Sequence, residues 1–260
     1  AKLENIEKGP RGFSKLDNWQ APKSPPPEPE KEDPNAPNKF DEMMRAACSI
    51  KTAELTKQRR KFELLPKFLQ AGVYYTQRHE VIRRQGFELR LQTFQKLNRD
   101  ANHEYAMGQH DRACRRYEEA LGAFRYFEAT DPQWQSKGID DDHLVEVDIQ
   151  GDTEEERATI KSLKVGCFLN IAACNIKSKG YDTAVKACEE VFKLDPDHPR
   201  ALYRRARALA LPINSGVPEY RKALIDLKKL VKLKPSNFNM SPVKREIARL
   251  EKLVEVNSKR

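Results

Sequence analysis

The stretch AACNIKSKGYDTAVKACEEVFKLDP, residues 172–196, contains the pattern that decides the fold of this 260-residue chain. It reads as two helices separated by a Lys-Gly turn, with a proline just beyond the second helix. In that second helix Ala184, Cys188 and Val191 follow at spacings of four and three residues, so they share one face. Small residues on a shared face let two helices approach closely. The stretch therefore predicts a tightly packed helical hairpin.

Two other stretches repeat this pattern. ANHEYAMGQHDRACRRYEEAL begins at residue 101, and YRKALIDLKKLVKLKP begins at residue 220. The corresponding positions are Ala113, Tyr117 and Ala120 in the first stretch, and Ala223, Leu227 and Leu230 in the second. The repetition resembles the tetratricopeptide repeat (TPR), a helix–turn–helix unit of about 34 residues. The resemblance implies an array in which each hairpin buries its apolar face against the next.

This resemblance predicts an all-α fold, a right-handed superhelical array of TPR hairpins. The expected segments are an extended proline-rich tail at 1–39, an N-terminal helical region at 40–93, repeats at 94–127, 165–198 and 199–237, an acidic insert at 128–157, and a C-terminal capping helix at 242–257. The repeats and the capping helix make up a three-repeat domain at 94–258. Inside the insert, Asp152-Thr153 followed by glutamates is a helix start, so the next helix should begin about ten residues before its repeat.

Residues 1–39 differ in composition from the rest of the chain. Proline occupies seven of the 17 positions of PKSPPPEPEKEDPNAPN, residues 22–38. This composition favours extended polyproline II structure over a folded core. Phe13, Leu16 and Trp19 are candidate anchors onto a partner protein. We expect the tail to become ordered on that partner rather than to fold alone.

The second and third repeats sharpen the resemblance. LNIAACNIK at 169, YDTAVKAC at 181 and RALYRRARAL at 200 are similar to the three-repeat TPR domain of immunophilin-type co-chaperones. Nothing in residues 1–93 resembles the prolyl isomerase domain of that family. The resemblance implies a carboxylate clamp, in which side chains from three successive first helices grip the acidic C-terminus of a heat-shock chaperone through charge-assisted hydrogen bonds.

Five positions correspond to that clamp. Asn102, Asn170 and Arg204 match the family's residues. Arg200 stands where a lysine is usual, which keeps the charge but changes the geometry. Asn98 stands where the other lysine is usual, which removes a charge. Two plainer interpretations stay open: the arginines form an ordinary solvated face, and Asn170 is a buried asparagine that ties down the hairpin backbone.

The net charge of +9 is unevenly distributed. Residues 158–260 contain 22 basic and 10 acidic side chains, whereas the insert at 128–157 contains 2 basic and 11 acidic ones. The excess of positive charge in residues 158–260 favours acidic proteins or nucleic acid as partners. The insert reads as a long solvated loop. Two other interpretations of the insert stay open. It could be an internal acidic segment that competes for the basic face, or it could bind calcium through Asp140, Asp141 and Asp142, although their spacing matches no known calcium loop.

The five cysteines are Cys48, Cys114, Cys167, Cys174 and Cys188. Their spacing fits no metal motif, and we expect all five to be small core residues in a reducing intracellular compartment. Cytoplasm, mitochondrion and plastid are not distinguished by cysteine usage. No run approaches the length and apolar character of a membrane span, and no secretory signal is visible.

Catalysis is not expected. The five histidines lack ligand or nucleophile spacing and the 11 glycines form no phosphate loop, so no cofactor or metal is predicted. The leading hypothesis is a non-catalytic scaffold, a TPR subunit of a larger assembly that binds extended partner segments in its groove and through its tail. The alternatives are a co-chaperone adaptor for acidic chaperone C-termini, and an RNA-associated protein that uses KQRRKF at 57–62 and RRQGFELR at 83–90.

Overall fold

The computed structural model describes residues 38–74, 76–236 and 238–258. Its helices are α1 (Lys39–Gln58), α2 (Arg60–Leu64), α3 (Lys67–Tyr74), α4 (Thr76–Arg83), α5 (Phe87–Ala106), α6 (His110–Leu121), α7 (Trp134–Lys137), α8 (Glu154–Lys177), α9 (Tyr181–Leu194), α10 (Pro199–Ala210), α11 (Val217–Leu233) and α12 (Met240–Ser258). Its strands are β1 (Arg125–Ala129) and β2 (Leu144–Asp148). The predicted all-α class is confirmed, apart from one two-stranded sheet in this described part. The superhelical sense stays a prediction.

Three helical hairpins form the repeats: α5 packs on α6, α8 on α9, and α10 on α11. Contacts between α6 and α8 and between α9 and α10 join neighbouring hairpins, and α12 packs on α11. The nine positions of the repeat pattern are all buried, none more than 2% exposed. Because Ala113, Ala184 and Ala223 add little volume, the two helices of each hairpin can approach closely. The hairpins expected from the sequence pattern are therefore confirmed.

Helix α8 begins well before its repeat, as the capping pattern predicts. The Thr153 hydroxyl accepts a hydrogen bond from the Glu156 amide at 3.1 Å, and the Glu156 carboxylate accepts one from the Asp152 amide at 2.8 Å. Caps of this kind stabilise a helix start by about 1 kcal/mol. The resulting helix has 24 residues, and its early turns reach β2, where Lys164 pairs with Asp148.

The acidic insert is not the solvated loop expected from its composition. Strands β1 and β2 pair antiparallel, with Arg125 opposite Asp148 and Ala129 opposite Leu144. The side chains of Ile139 and Leu144 join the hydrophobic core, and each is 4% exposed. These few apolar residues, spread among many acidic ones, are enough to anchor the insert to the repeats.

Aspartates of the insert act as caps for backbone amides. Asp141 accepts hydrogen bonds from the amides of Lys61 and Phe62 at the start of α2, and Asp140 accepts one from the Asp142 amide at 3.1 Å. Such bonds satisfy amides that a helix start leaves without partners. Among the described residues, no three His, Cys, Asp or Glu side chains are grouped as metal ligands, so the calcium alternative gains no support.

The cysteines do not all lie in the core, so the expectation for the five is wrong in part. Cys167, Cys174 and Cys188 are buried, Cys114 is partly buried and Cys48 is exposed. Cys48 lies on α1, whose described side chains are exposed through most of its length. Helical periodicity marks a face that could be covered, but it does not show that another element covers it.

Two compact units divide the chain, Ala1–Cys48 and Ser49–Arg260. In the described part of the first unit, Phe40, Met43 and Met44 are between 47% and 64% exposed. The second unit contains the repeats and the insert. None of the described helices is both long and apolar enough to cross a membrane.

Candidate binding groove

A pocket of about 250 Å³ is lined by the first helices of the three hairpins, α5, α8 and α10. Its lining residues are Tyr105, Ala173, Ile176, Lys177, Arg200, Tyr203, Arg204, Arg207 and Phe238. Four of these side chains are cationic and none is a carboxylate. We call this site the basic pocket. No residue of the acidic insert lines it.

The start of α10 sets the positions of its arginines. A proline occupies the first turn, where its missing amide is no loss. The His198 ring accepts a hydrogen bond from the Ala201 amide at 3.3 Å through Nδ1. Burial lowers the pKa of His198, and the charges of Arg200 and Arg204 lower it further, so the ring stays neutral and can accept this bond near pH 7.

Arg204 is half-buried in the basic pocket. Its guanidinium donates a hydrogen bond to the Leu169 carbonyl of α8, which holds the side chain against that helix. Burial lowers the pKa of Arg204, and the charge of Arg200 lowers it further. Among the described residues, no carboxylate forms an ion pair with any of the four pocket cations. The pocket therefore concentrates positive charge that no carboxylate of the described residues neutralises.

The neighbouring Arg205 faces the other side of α10. Its Nε and Nη2 donate to the two carboxylate oxygens of Asp226 on α11, at 2.8 and 2.6 Å. The guanidinium also lies 4.4 Å from the centroid of the Phe192 ring on α9. Asp226 is 2% exposed. Arg205 is therefore used in packing between helices and is not available to a ligand.

Asn102 is oriented by a buried tyrosine. The Tyr117 hydroxyl donates to the Asn102 Oδ1 at 2.6 Å, and burial raises the pKa of Tyr117, so this donor stays protonated. With its oxygen engaged, the Asn102 amide keeps its NH₂ group for a ligand. Asn102 is exposed and lies three residues before the pocket-lining Tyr105, which places both on one face of α5.

Asn170 is half-buried on α8, three residues before the pocket-lining Ala173. The backbone-tying role considered for it belongs to Asn175, which donates to the Ile171 carbonyl at 2.9 Å. An added Cβ at Gly180 would come within 2.7 Å of the Asn175 Oδ1, so a larger residue there would displace the Asn175 side chain. The turn between α8 and α9 is thus held without Asn170.

Asn98 lies one turn before Asn102 and does not line the basic pocket. Its Oδ1 is buried and has no hydrogen-bond partner among the described residues. A neutral amide with a buried oxygen cannot supply the lysine charge that the resemblance implies at this position.

The structure brings two of the five predicted clamp residues, Arg200 and Arg204, into one pocket. The other lining residues, none of them among the predicted clamp residues, are Tyr105, Ala173, Ile176, Lys177, Tyr203, Arg207 and Phe238. The spacing of Arg200, Arg204 and Arg207 in the sequence places the three arginines near one helix face, and all three line the pocket. Phe238 comes from the connection after α11, and no sequence signal identified it. The predicted tail anchors Phe13, Leu16 and Trp19 lie outside the described residues.

A comparison with solved structures agrees with this geometry. The chain is similar to the C-terminal TPR-containing domain of a Plasmodium falciparum protein described as FK506-binding, with a TM-score of 0.52 and 19% identity. The similarity covers 69% of this chain and 99% of that one. The fold is a TPR array. In that fold α5, α8 and α10 are the first helices of the repeats, so the pocket, Asn102 and Asn170 all lie on first helices.

Among curated proteins, the chain is 38% identical over 85 residues to FK506-binding protein 59 of Drosophila melanogaster. This match covers 33% of the chain and 18% of the fly protein. The mouse peptidyl-prolyl cis-trans isomerase FKBP4 is 29% identical over 83 residues, which are 32% of this chain and 17% of that protein. The TPR chain thus matches less than a fifth of either relative's length. No protein-family model matches it.

Proposed function

We propose that this chain is a non-catalytic interaction module whose TPR groove binds an acidic segment of a partner protein. The observation that carries the proposal is the basic pocket, where four cations meet no carboxylate among the described residues. Charge-assisted hydrogen bonds from arginine and lysine to carboxylates are among the stronger polar contacts in proteins. An acidic segment is therefore the ligand that this pocket favours.

The free acidic C-terminus of a heat-shock chaperone is the finer candidate, and it would make the chain a co-chaperone adaptor. Arg200 and Arg204 supply the charge for a terminal carboxylate, and Asn102 is held with its NH₂ group available. Asn170 would add a second amide from α8. The missing charge at Asn98 lowers the affinity expected from such a clamp.

A scaffold subunit of a larger assembly is the second candidate. In the first compact unit, helix α1 carries a stripe of large apolar side chains, Phe40, Met43 and Met44, each at least 47% exposed. A stripe at this spacing is typical of a helix face that packs against another protein. The free thiols of Cys167, Cys174 and Cys188 support a reducing intracellular compartment for this role.

RNA is less favoured as a partner. In the basic stretch at 83–90, the Arg83 guanidinium lies 3.5 Å from the centroid of the Tyr126 ring, and Arg90 donates to the Gln85 carbonyl at 2.8 Å. These side chains are engaged inside the protein, so they present little basic surface to a phosphate backbone.

The test is a fluorescence-anisotropy titration of the full chain with a labelled peptide ending Glu-Glu-Val-Asp, beside the same peptide with an amidated C-terminus. Micromolar binding that amidation and Arg204→Ala both weaken supports the co-chaperone candidate. Arg221→Ala, at an exposed position on α11, is the matched control. Equal binding of the two peptides would exclude the clamp and leave the scaffold candidate. Binding that Arg204→Ala leaves unchanged would contradict a site in the basic pocket.

A further inference from the structure

The basic pocket contains more positive charge than one terminal carboxylate can neutralise. Arg200 and Arg204 are the two cations that the clamp resemblance assigns to that carboxylate. Lys177 and Arg207 line the same pocket and have no such assignment. Neither has an ion pair among the described residues, so both would remain unmatched when a carboxylate is bound.

These two side chains lie beyond the clamp positions along their helices. Arg207 comes three residues after Arg204 on α10, and Lys177 comes seven residues after Asn170 on α8. One helical turn is about 5.4 Å, and an extended peptide advances about 3.3 Å per residue. For a segment that runs parallel to these helices, an anionic group about two or three residues from its end would therefore reach the two side chains.

We propose that Lys177 and Arg207 form a phosphoryl subsite, which holds the phosphate of a phosphorylated serine or threonine near the end of the bound acidic segment. This inference rests on the proposed function, because both concern one groove. A phosphoryl group carries about −1.5 to −2 charges near neutral pH and three acceptor oxygens. The Arg207 guanidinium can donate to two of them at once, and the Lys177 ammonium adds a compact charge.

Aromatic side chains line the pocket beside Arg207. The Tyr203 and Phe238 rings meet edge to face with centroids 5.8 Å apart. The Arg207 guanidinium lies 6.0 Å from the centroid of the Tyr203 ring, within reach of a cation–π contact. Tyr105 from α5 adds a third aromatic wall for the peptide chain.

The test compares four labelled peptides on the full chain. One is an acidic decapeptide with a free C-terminus, and the others have a phosphoserine two, three or six residues before that end. We expect binding to tighten about tenfold at one of the two near positions, as a few charge-assisted bonds allow, and to change little at the far one. The variant Lys177→Gln/Arg207→Gln should lose this gain, so that it binds the phosphorylated and unphosphorylated peptides with nearly equal affinity.

A matched control removes the same charge elsewhere. Lys186→Gln/Arg221→Gln changes two exposed positions outside the pocket and should retain the gain. Equal gains at all three phosphoserine positions would overturn the subsite, because the phosphate would then act through long-range charge alone. A gain that survives in the Lys177 and Arg207 variant would also overturn it.

Failure of the proposed function would look different. The unphosphorylated peptide would then not bind, whereas failure of the subsite alone leaves that binding intact. A final titration replaces the peptide with a labelled single-stranded uridine 12-mer, to test whether the pocket binds RNA. If it binds more tightly than the phosphopeptide and depends on Lys177 and Arg207, the pocket serves nucleic acid and the phosphopeptide assignment is overturned. Weaker RNA binding that the double variant does not change supports the assignment.

Discussion

Arg204 and Arg205 are neighbours on α10, and their surroundings are opposite. Arg205 turns toward α9 and α11, where Asp226 accepts two hydrogen bonds from it at 2.8 and 2.6 Å. Arg204 turns toward α8 and the groove, where it donates to the Leu169 carbonyl. The chain supplies its own anion on one side of the helix and a neutral acceptor on the other. Among the described residues, therefore, Arg205 has an anionic partner and Arg204 has none.

The same pairing occurs elsewhere between the repeats. Glu190 on α9 is 5% exposed and accepts bonds from Arg125 at 2.5 Å and Lys193 at 2.6 Å. Burial alone would raise the pKa of Glu190, but the hydrogen bonds from Lys193 and Arg125 outweigh it and lower that pKa. Glu190, like Asp226, is thus matched by cations of this protein's own residues.

The largest effect should come from breaking the pair on the packed side. Arg205→Ala leaves the Asp226 carboxylate buried without a cation, and we expect the free energy of unfolding to fall by about 3–5 kcal/mol. Urea unfolding measures the loss. Arg205→Ala/Asp226→Ala should recover part of it, because no buried charge then remains. Exposed ion pairs contribute about 0–1 kcal/mol. If Arg205→Ala lowered the free energy of unfolding by less than about 1 kcal/mol, the Arg205–Asp226 pair would behave like an exposed pair, and the contrast between the two sides of α10 would be contradicted.

Glu118 is a partly buried carboxylate without a cationic hydrogen-bond donor among the described residues. It accepts a hydrogen bond from the Cys114 thiol at 3.5 Å. Burial raises the pKa of Glu118 from 4.5 to about 7. Between these values the folded state keeps a proton that the unfolded state has released, so the free energy of unfolding should fall as pH rises. At about 1.4 kcal/mol per pKa unit, the fall amounts to a few kcal/mol.

Urea unfolding at pH 5 and pH 8 measures this dependence. Glu118→Gln should remove most of the fall, whereas Glu189→Gln, at an exposed position on α9, should keep it. A steeper fall in the Glu118→Gln variant than in the unchanged protein would contradict the assignment.

On the groove side, Tyr117→Phe sharpens the comparison. It removes the bond that orients the Asn102 amide, and we expect affinity for the acidic peptide to weaken about threefold to tenfold, as the loss of one hydrogen bond implies. Anisotropy titration measures the change, with Tyr181→Phe on α9 as the control. Unchanged affinity would show that Asn102 does not contact the ligand.

The smallest effect should come from an exposed ion pair. Lys228 and Glu251 lie 2.8 Å apart, with about half of each side chain exposed. Lys228→Gln should change the free energy of unfolding by no more than about 0.5 kcal/mol. A loss as large as that of Arg205→Ala would show that burial does not decide which pairs matter here.

The repeat core could be predicted because it depends on local spacing. Ala113, Ala184 and Ala223 occupy the same position of the repeat pattern, each on the second helix of its hairpin. Each is buried. The arginines at 200 and 204 could be placed for the same reason, since four residues on a helix return to one face. Local periodicity is therefore enough to locate both the hairpins and the α10 half of the pocket.

Features that depend on distant contacts could not be predicted. The pairing of β1 with β2 and the cap that Asp141 provides to α2 join residues far apart in sequence. Phe238 reaches the pocket through the chain's path after α11. Cys48 reads as a core residue from its helical setting, but nothing local shows whether a face is covered. The buried oxygen of Asn98 likewise depends on its neighbours in space.

The most direct test of the central claim measures stability and affinity together in Arg204→Ala and Arg205→Ala. Urea unfolding gives the first quantity, and anisotropy with the acidic peptide gives the second. Arg205→Ala should lose about 3 kcal/mol or more and keep its affinity, whereas Arg204→Ala should lose no more than about 1 kcal/mol and bind at least about tenfold more weakly. Equal losses of stability, with affinity unchanged in both variants, would contradict the claim that the two sides of α10 have different roles.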